Sequence, residues 1–113
     1  MPGISIHVVD VSRGVIASGM RIEVFHEKRL IASGVTSAKG LLEDETLASR
    51  FAAGEYEAVF HVGDYYRRAG VALPKPPFLD LVHYKFGIAD PKQHYHLPFK
   101  CTPWGYSCFR GGA

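Results

Sequence analysis

Apolar and polar residues alternate along most of this chain, the pattern of strands that bury one face and wet the other. In Ile4-Ser5-Ile6-His7-Val8-Val9-Asp10, Ile4, Ile6 and Val8 share one side, and Ser5, His7 and Val9 share the other. Residues 21–25 repeat the alternation with Ile22 and Val24 inward. A further strand, residues 30–36, follows the charged hairpin tip Glu27-Lys28-Arg29. Gly34 inside that strand predicts a bulge or kink. Residues 56–62 and 79–86 read as two more strands. Near the C-terminus, His94 and His96 fall on one face of an extended run, and Tyr95, Leu97 and Phe99 on the other. Thr102-Pro103 breaks that run, and residues 104–110 begin another, so the two are expected to pair as antiparallel neighbours.

Turn chemistry separates these segments at Ser12-Arg13-Gly14, Ser37-Ala38-Lys39-Gly40 and Asp90-Pro91, and Pro74-Lys75-Pro76-Pro77 is a rigid connector. Residues 41–51 are less regular, with Leu41, Leu42, Leu47 and Phe51 as core candidates. A short helix is expected at about residues 64–70, opened by Asp64 as its cap and ended by Gly70. About seven strands and one short helix, with turns at a spacing of roughly 8–12 residues, predict an all-β, two-sheet sandwich. Residues 1–113 are expected to form a single domain.

Composition narrows the partners. The net charge is +2 and the Lys and Arg residues are scattered, so neither nucleic acid nor an anionic membrane is expected as a partner. No basic-plus-apolar leader and no long apolar run occur, which points to the cytoplasm. The two cysteines, Cys101 and Cys108, read as buried thiols; a disulfide is open to them in an oxidising compartment, but nothing demands one.

The candidate chemistry lies in the histidines. His26, His61 and His83 sit in or beside strands with no titratable partner pattern and read as surface or core-edge side chains. His7 and His96 differ, because each lies on the non-core face, in the first and next-to-last strands. Imidazole titrates near neutrality, so one ring can take a proton from water while a second orients the water or protonates a leaving group.

The run His94-Tyr95-His96-Leu97-Pro98, followed by Thr102-Pro103-Trp104-Gly105-Tyr106-Ser107-Cys108-Phe109-Arg110-Gly111, resembles the closing signature of the transthyretin-like 5-hydroxyisourate hydrolases. Residues 5–14, 36–40 and 54–56 and Tyr65-Tyr66 extend the resemblance over essentially the whole chain. It implies a transthyretin-type sandwich, a homotetramer built as a dimer of dimers, and a small-molecule substrate opened at a ring amide in the cleft between dimers. It implies no cofactor and no metal. Of the site residues, it makes His7 and His96 catalytic, and Arg110, Leu41, Ser107, Phe109, Gly111 and Gly112 the substrate-binding positions.

Three of those positions depart from the family pattern. Leu41 stands where the family has an arginine, Phe109 where it has a tyrosine, and Gly112 where it has a serine. Lys39 or Arg50 could restore a charge, but an ammonium does not reproduce a bidentate guanidinium fork. Besides hydrolysis of 5-hydroxyisourate, two readings therefore stay open. One is a divergent paralogue acting on a less polar cyclic substrate; the other is a non-catalytic small-ligand-binding protein that uses the same cleft.

Overall fold

Eight strands pair into two four-stranded sheets in the computed structural model, which describes residues 3–49 and 52–112. The strands are β1 (Gly3–Asp10), β2 (Val15–Ile16), β3 (Arg21–His26), β4 (Arg29–Val35), β5 (Gly54–His61), β6 (Leu81–Ile88), β7 (His94–Thr102) and β8 (Gly105–Cys108). Two short helices, α1 (Thr46–Ser49) and α2 (Val62–Arg68), complete the described elements. One sheet runs β2-β1-β7-β8 and the other β4-β3-β5-β6. All the pairings are antiparallel except that of β1 with β7, which run parallel.

The inward sets of the alternating segments make the core. Ile4, Ile6 and Val8 of β1 meet Leu97, Phe99 and Cys101 of β7 on one layer, and Ile22, Val24, Ala58 and Phe60 face them from the other. Phe60 and Phe99 stack across the layers with ring centroids 3.8 Å apart, and both are fully buried. Because the side-chain period of a strand is two, burying these residues turns Ser5, His7, His94 and His96 to the opposite face.

The fold agrees with the expected all-β sandwich, and several details differ. The helix runs from Val62 to Arg68, two residues earlier than expected. Asp64 is not its cap; it lies in the first turn and pairs with Arg68 at 3.3 Å, while His61 occupies the cap position without a side-chain capping bond to the helix. Gly70 does follow the helix end, at φ +83°, with its N–H donated to the Arg67 carbonyl. Gly34 is no bulge. It pairs in register with Ile22, and the irregularity of that ladder falls between Val24 and Phe25. A Cβ at position 34 would sit 3.3 Å from Leu42 Cδ1, so the glycine makes room for a core side chain. Leu42 and Leu47 are buried but Leu41 is only half-buried, and Phe51 and Arg50 lie outside the described residues. His61 and His83 do have acidic partners, Glu23 at 2.8 Å and Glu57 at 3.1 Å, supplied by neighbouring strands and so invisible to local spacing.

Asp10 ends β1 fully buried, an unexpected place for a carboxylate. Burial alone would raise its pKa. Donors from Ser12 (2.7 Å), Tyr66 (2.7 Å), Arg13 (2.8 Å) and Tyr65 (3.1 Å) outweigh that and hold it below the ordinary aspartate range. The knot ties the turn after β1 to α2.

Candidate functional site

The parallel register of β1 and β7 assembles the histidines. Ser5 lies opposite His96 and His7 opposite Pro98, so the imidazoles of His7 and His96 are diagonal neighbours on the outer face of one sheet. Both are half-buried. His96 has a lowered pKa. Desolvation by burial is the largest cause, followed by repulsion from His7 and then from His94, so the ring is held neutral near pH 7.

Two segments frame this pair. On the β1 side, the chain at 40–42 docks against the strand: Val8 N–H donates to the Gly40 carbonyl (2.8 Å), Leu42 N–H donates to the Ile6 carbonyl (3.2 Å), and Leu41 bridges to His7. Gly40 has φ +74°, and a Cβ there would be 3.3 Å from His7 Nε2 and 2.8 Å from the Val8 carbonyl oxygen. A left-handed glycine is what lets the loop approach His7 so closely. On the β7 side, the C-terminal tail keeps the register of the β7–β8 hairpin. Phe99 pairs with Cys108 and His96 with Gly111, whose N–H donates to the His96 carbonyl at 2.7 Å. Pro98 lies between those two pairings and has no N–H to donate, so the ladder is interrupted there. A Cβ at Gly111 would stand 3.1 Å from both His96 Cδ2 and Pro98 Cδ.

His7, His96, Leu41 and Gly111 therefore meet in one chain, and the other expected residues lie further off. Phe109 is exposed, with Lys100 Nζ 5.9 Å from its ring centre. Ser107 pairs with Lys100, four residues along β7 from His96, about 13 Å at ~3.3 Å per residue. Arg110 turns its guanidinium to the Tyr95 side of β7, stacked 4.1 Å from the ring centre, and donates to Gln93 Oε1 at 2.8 Å and the His94 carbonyl at 3.3 Å. Gly112 is exposed beyond the bridge. Lys39, also exposed, donates its backbone N–H to Ser37 Oγ.

Ser5 and His94 were not among the expected site residues, although His94 was expected on the His96 face. The Ser5 hydroxyl lies 2.8 Å from His94 Nε2 and 2.7 Å from His96 Nδ1, linking the two rings. The period-two pattern puts Ser5 on the His7 face and His94 on the His96 face, but only the β1–β7 pairing joins them. No group of three or more His, Cys, Asp or Glu among the described residues is arranged to hold a metal ion. Nor is any described helix long and apolar enough to cross a membrane.

Fold and site together define a transthyretin-type β-sandwich with a histidine pair on one outer sheet face. A profile of the HIUase/Transthyretin family matches residues 4–111, and the chain belongs to that family. 5-Hydroxyisourate hydrolase 2 of Rhizobium meliloti is 44% identical over 110 residues, covering 93% of this chain and 92% of that protein. The solved 5-hydroxyisourate hydrolase of Klebsiella pneumoniae superposes with a TM-score of 0.84 at 29% identity, covering 99% of this chain and 100% of that one. An (S)-allantoin synthase structure has a TM-score of 0.87 at 32% identity; the match covers 97% of this chain but 43% of that longer one.

Proposed function

We propose that this protein is a hydrolase that opens a cyclic amide, 5-hydroxyisourate in purine catabolism, with water activated by histidine. The carrying observation is the pair His7 and His96 on adjacent strands of one half-buried sheet face. The similar chains that bear the name 5-hydroxyisourate hydrolase, 37–44% identical over most of their length, support the same reaction.

In this reading His96 is the base. Its depressed pKa keeps the ring neutral and able to accept a proton. The water oxygen attacks the ring carbonyl as its proton passes to His96. The carbon–nitrogen bond then breaks, and His7 supplies the proton that the departing nitrogen takes up. Leu41, Gly111, Gly112, Phe109 and Ser107 form the substrate-binding surround, and Arg110, stacked on Tyr95, borders it by holding the His94 carbonyl.

A second reading is favoured by Leu41. Its bridge to His7 gives the lining beside that imidazole an aliphatic side chain where the family has a guanidinium. With Phe109 and Gly112, this would suit a less polar cyclic substrate. A binding protein without catalysis is the remaining alternative.

Residues 1–113 act here as one domain, assembled as a homotetramer, a dimer of dimers. Ser107 lies too far along the sheet to serve the imidazoles of its own chain, so within this reading a neighbouring copy brings it to the cleft. The free thiols of Cys101 and Cys108, both pushed up to about 11 by burial, suit a reducing compartment, and we assign the protein to the cytoplasm.

The test is turnover of freshly prepared 5-hydroxyisourate. His7→Ala and His96→Ala should each lower kcat by at least about 10² with a smaller effect on binding. The acid limb of kcat/KM should fall below the ~6.5 of a free imidazole, because His96 keeps its lone pair to lower pH. Variants as fast as the parent would leave the cleft as a binding site.

A further inference from the structure

Ser5 has one hydroxyl proton and two imidazole partners. Its Oγ is 2.8 Å from His94 Nε2 and 2.7 Å from His96 Nδ1, and each contact needs one proton between its two atoms. With both rings neutral and the hydroxyl proton directed at one of them, one imidazole donates to Oγ and the hydroxyl donates to the other. In the first direction, His94 Nε2–H donates to Ser5 and Ser5 donates to His96 Nδ1, which leaves the proton of His96 on Nε2. In the second, His96 Nδ1–H donates to Ser5 and Ser5 donates to His94 Nε2, which leaves His96 Nε2 bare.

The two directions respond differently when His96 takes up a proton. An imidazolium donates from both nitrogens, so Nδ1 must then donate to Ser5, and the hydroxyl proton is left to donate to His94. The second direction already holds those bonds. The first would require the hydroxyl to turn and the His94 ring to give up its Nε2 proton. A site arranged in advance for the charged state avoids that reorganisation.

The fold fixes the ring on both edges. The register sets Ser5 directly across from His96, and the small side chain brings Oγ within reach of both rings. On the other edge, Cδ2 faces Gly111, where no Cβ intrudes, and the Gly111 N–H anchors the His96 carbonyl. Arg110 holds the His94 carbonyl at 3.3 Å. We propose that Ser5 and His94 are positioning residues that hold His96 in its Nδ1–H tautomer, through the chain His96 Nδ1–H to Ser5 Oγ–H to His94 Nε2, so that Nε2 is the proton-accepting atom. The proposal rests on the reading of His96 as the base.

Nitrogen-15 spectra of the histidine rings, recorded on the full chain at neutral pH without substrate, read the tautomer directly. The parent should show His96 protonated at Nδ1 and bare at Nε2. Ser5→Ala should move it toward the Nε2–H form, and Ser5→Thr, which keeps a hydroxyl, should restore the parent pattern. His94→Phe should also drive His96 to Nε2–H, because Ser5 then has its proton free to donate to Nδ1. In turnover, Ser5→Ala and His94→Phe should each lower kcat at least about tenfold with little change in KM. The double variant should be no worse than the poorer single one, since the two act as a unit. A parent His96 protonated at Nε2, or a tautomer indifferent to Ser5→Ala, overturns the proposal. His96→Ala with the parent's turnover would instead refute the base assignment, and the ring spectra still decide the direction of the chain.

Discussion

Two kinds of polar residue share the first strand, and their surroundings separate structure from chemistry. Asp10 is buried at the strand end and satisfied by four side-chain donors. Removing it takes the shared acceptor away from the Tyr65 and Tyr66 hydroxyls, Ser12 and Arg13 at a buried site, so Asp10→Ala should cost about 3 kcal/mol in denaturant unfolding. Its depressed folded pKa sets the sign of the pH dependence. The carboxylate contributes stability above the unfolded value of ~3.9, and the contribution is lost as pH falls through the folded one. Below about pH 4, Asp10→Asn should therefore lose less stability than the parent. His7 and His96, by contrast, keep ring edges on an outer face. If the residues at 41, 109 and 112 moved this cleft toward a less polar substrate, the triple variant Leu41→Arg, Phe109→Tyr, Gly112→Ser should hydrolyse 5-hydroxyisourate at least tenfold faster than the parent, about 1.4 kcal/mol of barrier. A parent that is already a fast 5-hydroxyisourate hydrolase removes that reading and leaves the first.

Elements matter here through what they allow at their edges. β1 is paired along its length with β7 on one side, while β2 covers only its last two residues on the other. The vacant edge receives residues 40–42, and this places Leu41 beside His7. The approach depends on Gly40. A Cβ there would collide with Ile16 Cγ2 and crowd the Val8 carbonyl, at a φ of +74° that L side chains rarely adopt. Gly40→Ala should cost about 1–3 kcal/mol and lower turnover by displacing His7; thermal unfolding and kcat measured together check both. At the far edge, Pro98 interrupts the ladder, and the tail pairs again only at Gly111.

At the scale of the whole molecule, the sandwich covers its interior well and its periphery poorly. Phe78 is 73% exposed and Trp104 59%, with their rings 6.2 Å apart near the tip of the β7–β8 hairpin, and Leu81, Tyr106 and Phe109 are also exposed. A domain this small gains by covering such surface with further copies. Light scattering at micromolar concentration should give four times the chain mass of 12.5 kDa. A monomer mass would remove the assembled cleft from the proposed function.

Periodicity by itself determined which residues face inward. Ile4, Ile6 and Val8, or Tyr95, Leu97 and Phe99, fall on one side of a strand because backbone geometry alternates side chains whatever the strand's neighbours. The same rule turned His7 and His96 outward, and the motifs around them made the family legible. Tertiary structure decided what those outward residues meet. Parallel pairing brings together residues about ninety positions apart, as with Ser5 and His96, and no local pattern encodes that register. It also decided the acidic partners of His61 and His83, the buried knot at Asp10 and the helix start at Val62, where tertiary packing overrode a cap that Asp64 could have made. Alternation is a property of one strand, whereas register, burial of charge and the joining of Ser5 to two imidazoles depend on which strands share a sheet.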